Sequence, residues 1–319
     1  MTVTVFFPEA AQITPDELSK RLSRADSGIH WVDITGPTDD DVRLMHDVFH
    51  FHPLAIEDTR NMRQRPKVEE YADYLFLILN PVGMQQDDTL FCELDVFVGS
   101  NYVVTVHKAA EPVIDEVQRR IERGAAVLPM TASYLLYLLI DAVVDSYFPV
   151  LDTLEESIEE LGDRVLTNPD HSLLNRLFVL KKTLVDMWRV VWPQREMINS
   201  LRSQNPKLFD YETLQHYMRD VFDHLMWIAD MVSTFRDTLT GTMDLYMSAV
   251  SNRLNKVVNR LTVITVIIGV MTVIGGFYGM NFEHTWPPFS SSLGVPFVLF
   301  LMGGAMVALL VTFKRLKYY

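Results

Sequence analysis

The sequence predicts an α+β protein with a mixed α/β domain at the N-terminal end, a long helical stalk, and two membrane-spanning helices at the C-terminal end. Three observations predict this class. Strand-like runs are confined to residues 1–110, and from Glu111 onward apolar residues recur at helical spacing. Two uncharged apolar runs, Leu261–Tyr278 and Val295–Phe313, are each long enough to cross about 30 Å of hydrocarbon as a helix.

The N-terminal segment predicts a small mixed sheet flanked by helices. Helices are expected to begin at Thr14 and Thr38, because each threonine precedes acidic residues that favour a first helical turn. Residues 51–71 predict a helical turn followed by a loop. The runs that predict strands are Thr2–Phe7, His30–Ile34, Tyr74–Asn80, Leu90–Val98 and Tyr102–His107, of which the last three are expected to be adjacent and antiparallel.

Three long helices are predicted in the remainder. Ala132–Val165 and Ser172–Arg202 should form a hairpin around the break at Asn168-Pro169. Tyr211–Tyr278 contains no proline, so one helix is expected to run without interruption from the stalk into the first span. The expected division is therefore an α/β domain at 1–130, a helical hairpin at 131–209, a stalk at 210–260 and a membrane hairpin at 261–319.

Basic residues predict the orientation. Three stand just before the first span and three follow the second, whereas the loop between the spans has neither Lys nor Arg. Since basic residues accumulate on the cytoplasmic side, both termini are expected in the cytoplasm, with the protein in the plasma (inner) membrane.

Composition excludes several classes of function. The net charge is −13, which argues against nucleic acid as a partner. Cys92 is the single cysteine, so a disulfide framework is excluded. The sequence has no Gly-rich phosphate loop, no HExxH zinc motif and no nucleophile elbow, so we expect neither a nucleotide site nor an enzyme.

A stripe of small residues follows one face of the first span. Its members are Thr262, Thr265, Gly269, Thr272 and Gly276. The stripe fits either close packing between helices or the wall of a pore, and the spacing leaves both open. Two helices cannot enclose a pore, so a pore requires an oligomer with cyclic symmetry.

The first span ends in Gly279-Met280-Asn281. Repeated around an axis, this turn gives a ring of neutral oxygens, which suits a strongly hydrated cation such as Mg²⁺. An asparagine that caps the end of a helix explains the same residues equally well.

Tyr278-Gly279-Met280-Asn281-Phe282-Glu283, between two C-terminal spans, resembles the CorA-type magnesium/cobalt channel family. The similarity extends over nearly the whole chain. It includes His52-Pro53-Leu54, Gln64-Arg65-Pro66-Lys67, Tyr134-Leu135-Leu136-Tyr137, Trp192-Pro193 and Val250-Ser251-Asn252-Arg253. After Glu283 the sequence departs from the family pattern. The outer mouth of the channel is therefore expected to differ from that of other family members.

The resemblance implies a funnel-shaped homopentamer in the lipid bilayer, with the first spans around the pore and the soluble domains in the cytoplasm. Gly279, Met280 and Asn281 are then the selectivity filter. The pore-facing positions that it implies are Asn255, Val258, Leu261, Thr265, Gly269 and Thr272. Gly269 stands where a bulkier residue is expected in the family.

The resemblance also implies how the protein is regulated. Asp58 and Asp244 are expected to hold Mg²⁺ between neighbouring subunits, and Glu57, Asp220 and Asp141 to form a weaker second site. The implied function is the influx of Mg²⁺ and Co²⁺ through a channel that is gated by cytoplasmic Mg²⁺. A zinc transporter of the same superfamily and a non-conducting, cation-sensing membrane protein are the alternatives.

Overall fold

The structure is a computed structural model, and it describes residues 3–7, 18, 28–61, 64–85, 88–124, 128–280, 286, 288 and 293–316. The predicted helix at Thr14 and the residue Asn281 lie outside the described residues. The chain divides into two units. The first comprises Met1–Gly162 and Leu174–Thr240, and the second comprises Asp163–Leu173 and Gly241–Tyr319.

A six-stranded mixed sheet organises the first unit, in the order β1-β2-β8-β7-β4-β3. Its strands are β1 (Val3–Phe7), β2 (His30–Thr35), β3 (Lys67–Glu70), β4 (Tyr74–Leu79), β7 (Leu94–Gly99) and β8 (Tyr102–His107). Strand β2 runs parallel to β8, and every other neighbouring pair is antiparallel. The expectation of a mixed sheet with β4, β7 and β8 side by side is confirmed.

The predicted strand at Leu90–Val98 is wrong as a single element. It belongs to two strands, because a separate hairpin of β5 (Val82–Gln85) and β6 (Asp88–Phe91) precedes β7. Between β6 and β7, the backbone N–H of Cys92 donates to the carbonyl of Pro81, and the Glu93 side chain accepts from the backbone of Gln64. These contacts draw the chain out of the ladder. Strand β3 was also missed, within a segment expected to be a loop.

Helices α1 (Asp39–Asp47) and α2 (Pro53–Asn61) pack on one face of the sheet. Helix α1 begins as predicted, because Thr38 and Asp41 bond reciprocally to each other's backbone N–H groups. In the core below, the rings of Phe51 and Phe97 stack with centroids 3.9 Å apart. This packing fixes α2, which carries Glu57 and Asp58, against the sheet.

The other helices of the first unit follow in chain order. They are α3 (Pro112–Glu122), α4 (Ala132–Asp145), α5 (Tyr147–Thr167) and α6 (His171–Ser200), the last two extending into the second unit. The predicted single helix at Ala132–Val165 is divided at Ser146. The predicted hairpin is supported by an ion pair of 3.0 Å between Glu160 on α5 and Arg176 on α6.

Helix α7 (Tyr211–Gly279) is unbroken, as predicted, and α8 (Gly294–Arg315) follows it. Three helical stretches among the described residues are long and apolar enough to cross a membrane: Ala132–Thr167, α7 and α8. The apolar window of the first is 67% buried within the protein, against 6% for each of the other two. Only α7 and α8 therefore keep an apolar surface that is available to lipid.

Candidate ion pathway and cation sites

The pore-facing positions implied by the resemblance all lie on α7 and are exposed. Asn255, Val258, Leu261, Thr265, Gly269 and Thr272 are all exposed, Leu261 to 58%. Val263 lies on roughly the opposite side of the helix and is only 6% exposed. The positions that the sequence singled out thus share one face of α7, and this face is uncovered in the single chain.

Two threonines of the first span, Thr262 and Thr272, donate their hydroxyl hydrogens within the helix. Thr262 Oγ1 donates to the carbonyl of Val258 at 2.9 Å, and Thr272 Oγ1 donates to the carbonyl of Ile268 at 2.8 Å. What each hydroxyl still offers is its oxygen lone pairs. Such a side chain presents an acceptor, the polarity that a cation or its water shell requires.

Helix α7 ends at Gly279, which is the first residue of the predicted filter. Met280 is exposed, and its backbone N–H donates to the carbonyl of Phe277 at 3.4 Å. Tyr278 donates its hydroxyl to the carbonyl of Trp286 at 3.4 Å, which holds the returning chain against the end of the helix. Gly279 and Met280 therefore occupy a helix terminus, and Asn281 lies outside the described residues.

Asp58 is already engaged by side chains of its own chain. Its Oδ2 accepts from Lys67 Nζ at 2.7 Å, and its Oδ1 accepts from Gln64 Nε2 at 3.3 Å. Lys67 also contacts Glu69 Oε1 at 2.7 Å. The two hydrogen bonds raise the pKa of Lys67, although its partial burial opposes the charge. The carboxylate of Asp58 therefore faces a resident cation.

Of the other predicted regulatory carboxylates, Asp141 and Asp220 both lie near Tyr137, whose pKa is raised by burial and by the charges of these two residues. Glu57, Asp220 and Asp244 are exposed, and Asp220 lies 4.0 Å from His224. Asp141 accepts from Arg120 at 2.7 Å; burial, together with the charge of Asp145, raises its pKa in spite of that guanidinium. Among the described residues, no group of three or more His, Cys, Asp or Glu side chains is arranged to hold a metal ion.

The structure also contains a buried polar network that sequence reasoning missed. Asp33 on β2 accepts from Thr105 Oγ1 at 2.5 Å and lies 3.0 Å from His107 Nε2, while Trp31 Nε1 donates to Thr105 Oγ1. Burial opposes a charge on His107, but the hydrogen bond and the charge of Asp33 outweigh it and raise the pKa. The sequence did contain a signal for this network, because its polar residues stand inside otherwise apolar strands.

Lys67 and Gln64 were missed as partners of Asp58. Both stand within a motif that the sequence singled out, but their separation from Asp58 carries no periodic signal. The contact arises because Lys67 opens β3, opposite Ile78, and β3 is the strand that sequence reasoning did not find.

Comparison with known proteins agrees with this architecture. Residues 26–315 match the family described as CorA-like Mg²⁺ transporter protein. The chain is 39% identical over 292 residues to the cobalt/magnesium transport protein CorA of Thermotoga maritima, covering 90% of this chain and 83% of that protein. It is 32% identical over 300 residues to the putative metal ion transporter YfjQ of Bacillus subtilis, covering 94% and 93%.

A solved structure shares the fold. The CorA magnesium transporter of Methanocaldococcus jannaschii superposes with a TM-score of 0.84 at 23% identity, covering 99% of this chain and 98% of that one. The family is one of membrane transporters and not of enzymes, in agreement with the two exposed apolar helices. The chain belongs to the CorA-like Mg²⁺ transporter family.

Proposed function

We propose that this protein is a divalent-cation channel that conducts Mg²⁺, and also Co²⁺, into the cell. The names of its relatives support the choice of ions. One observation carries the proposal: between Asn255 and Thr272, the exposed surface of α7 includes a face on which the small residues Thr265, Gly269 and Thr272 lie together. In a membrane protein such a face is covered either by another copy or by water.

The exposed face requires several subunits, because α7 and α8 cannot enclose a pore alone. We propose a funnel-shaped homopentamer with α7 around the axis and α8 towards lipid. The spans are 261–278 and 295–313, and both termini lie in the cytoplasm on the inner side of the plasma membrane. Residues 1–130, 131–209 and 210–260 are the cytoplasmic α/β domain, the helical hairpin and the stalk.

The filter is the ring formed by Gly279, Met280 and Asn281 of each subunit. Mg²⁺ gives up water reluctantly and prefers oxygen ligands. A ring of neutral amides and carbonyls selects the hydrated ion without holding it as tightly as carboxylates do. Along the pore, the lone pairs of Thr265 and Thr272 continue this acceptor lining, and Val258 and Leu261 form an apolar constriction.

The membrane potential is sufficient to drive entry. One elementary charge gains about 2.3 kcal/mol per 100 mV, so a divalent ion gains about 4.6 kcal/mol when the inside is negative by about 100 mV. No nucleotide is required.

Gating follows from Mg²⁺ binding between subunits. Mg²⁺ keeps most of its water and needs only one or two carboxylates, so Asp58 of one subunit and Asp244 of the next are sufficient. The absence of a three-ligand group among the described residues of one chain is compatible with such a shared site. Glu57, Asp220 and Asp141 form a weaker second site. Bound Mg²⁺ favours the closed state through its higher affinity for that state.

The test is flux through the purified protein in liposomes, with Mg²⁺, Co²⁺, Ni²⁺ and Zn²⁺ supplied in turn. We expect Mg²⁺ and Co²⁺ flux that increases with an inside-negative potential. Asn281→Ala should abolish the flux while the particle keeps the mass of a pentamer. Flux of Zn²⁺ alone that depends on pH would favour a zinc transporter, and no flux of any ion would leave a cation-sensing protein.

A further inference from the structure

A groove of about 510 Å³ lies within the second unit, between the turn that joins α5 to α6 and the lower part of α7. The turn contributes Asn168, and α7 contributes Ser248, Asn252, Arg253 and Lys256. The groove therefore combines two cationic side chains with hydroxyl and amide groups.

The two cations of the groove have no ion-pair partner in the part of the chain that the structure describes. Neither Arg253 nor Lys256 forms an ion pair with any of the residues that the structure describes. The nearby carboxylate of Asp170 is occupied in capping α6, where its Oδ1 accepts from Ser172 and Leu173. Two positive charges thus face the groove without a counter-charge from the described part of the chain.

The groove lies away from the proposed pore. At about 100° per residue, the α7 residues of the groove centre roughly 160° from the face of Asn255, Thr265 and Thr272. Arg260 falls on the same side as Arg253 and Lys256, one to two turns nearer the span. The basic side of the helix consequently looks outward from the axis.

The membrane-facing end of the groove, at Lys256, lies close to headgroup depth if the proposed placement of the first span at Leu261 is right, and this inference rests on that placement. Lys256 is five residues before Leu261, which is about 7.5 Å along the helix, and Arg253 is about 12 Å below it. A headgroup layer is about 5–7 Å thick on each side of the hydrocarbon. Long basic side chains extend upward to reach it.

We propose that this groove binds the phosphate group of an anionic phospholipid from the cytoplasmic leaflet. The guanidinium of Arg253 has the fork geometry that matches two phosphate oxygens, and Lys256 adds a point charge. The amides of Asn168 and Asn252 and the hydroxyl of Ser248 are further donors. Leu166, which is 68% exposed, gives the groove an apolar edge, which free phosphate does not need but the acyl chains of a lipid do.

The experiment measures lipid retention by the purified full-length protein in mild detergent. Equimolar phosphatidylglycerol and phosphatidylcholine are added, and the bound lipids are counted by native mass spectrometry. We expect phosphatidylglycerol to be retained at least tenfold over phosphatidylcholine. Each basic side chain near the surface contributes about fivefold, so Arg253→Gln with Lys256→Gln should remove the preference.

Two further variants separate the groove from general positive charge. Ala249→Phe, on the groove wall, fills the space without changing any charge and should also reduce the preference at least fivefold. Lys314→Gln with Arg315→Gln removes two basic residues after the second span, which attract anionic lipid only through their general charge, and should reduce the preference by a smaller factor than the groove variants. Equal loss in the two double variants, or no preference in the unmodified protein, would overturn the proposal.

Competition with inorganic phosphate distinguishes a groove that binds a lipid headgroup from one that binds free phosphate. Millimolar phosphate that displaces phosphatidylglycerol completely would overturn the lipid assignment, whereas retention of the lipid supports it. Mg²⁺ flux is measured on the same preparations. Flux without lipid preference refutes this inference alone, and lipid preference without flux refutes the proposed function while leaving the groove assigned.

Discussion

At the scale of single residues, the ammonium of Lys67 occupies the position beside Asp58 that a regulatory cation needs. Their atoms are 2.7 Å apart, and the two side chains are 31% and 22% exposed. If Asp58 binds Mg²⁺ as proposed, the ion must displace Lys67 or share the carboxylate with it. The affinity of the proposed site for Mg²⁺ would then be set partly by a competitor from the same chain.

Replacing Lys67 by methionine should tighten Mg²⁺ binding at Asp58. A partly exposed ion pair of this kind contributes about 1 kcal/mol, so we expect half-maximal protection from proteolysis at about fivefold lower Mg²⁺. Lys207→Met is the matched control, because Lys207 is exposed and forms no ion pair with the described residues. An unchanged or higher Mg²⁺ midpoint in Lys67→Met would contradict the competition.

His107 provides the second residue-scale prediction. Its Nε2 faces the carboxylate of Asp33 and its Nδ1 faces the carbonyl of Ala109, and both partners accept only. The ring satisfies both when it carries two protons, and its folded pKa is raised. The stabilisation is therefore complete below the unfolded pKa of about 6.5 and is lost as the pH rises through the folded value.

Thermal unfolding of the soluble part, followed between pH 6 and pH 9, measures this effect. The midpoint temperature should fall over that range. The free energy of unfolding should fall by at most about 1.4 kcal/mol per pH unit, because a single proton is involved. His107→Gln should lower the free energy of unfolding by about 3 kcal/mol at pH 6, because it leaves Asp33 without its cation. The same variant should make the free energy of unfolding less dependent on pH. A pH profile identical in both proteins would show that His107 is neutral when folded.

At the scale of elements, the sequence predicted α7 closely and α4 and α5 less well. Helix α7 was predicted to one residue because nothing in Tyr211–Gly279 interrupts it. The division at Ser146 depends on a tertiary contact, in which Ser146 Oγ accepts from the backbone of Val82 on β5. Because β5 was itself missed, the contact that accompanies the break could not be predicted. The one local signal for the break was Pro149, in the first turn of α5.

Gly269 tests whether the stripe on α7 faces a pore. A Cβ at Gly269 or at Gly304 on α8 meets nothing within 4 Å, so neither position clashes within the chain. Methionine gains helix propensity equally at both. Gly269→Met should reduce Mg²⁺ flux at least threefold without abolishing it, because five longer side chains would narrow an axis that Gly269 leaves wider than in the family, while Gly304→Met should change the flux less than twofold. Equal changes in Mg²⁺ flux at the two positions would indicate that the stripe packs against another helix and does not line a pore.

At the scale of the whole molecule, the sequence indicated which residues matter better than it indicated how they meet. Asp58 was singled out from a motif, but its ion pair with Lys67 depends on the register of β3, a strand that the local pattern did not predict. Asp33 and His107 are 74 positions apart and become neighbours only because β2 and β8 pair in parallel. Long-range pairing of this kind has no signature in local spacing.

The proposed regulatory site makes a prediction that belongs to the assembly. If one Mg²⁺ bridges Asp58 and Asp244 of neighbouring subunits, each carboxylate is useful only with the other. Asp58→Asn, Asp244→Asn and the double variant should then raise the Mg²⁺ needed for protection from proteolysis by the same factor, about tenfold or more. Two independent sites would instead multiply the single effects, since unconnected residues contribute additively in free energy. Asp152→Asn, which removes an exposed carboxylate on α5, is the control for the loss of charge alone and should leave the midpoint unchanged.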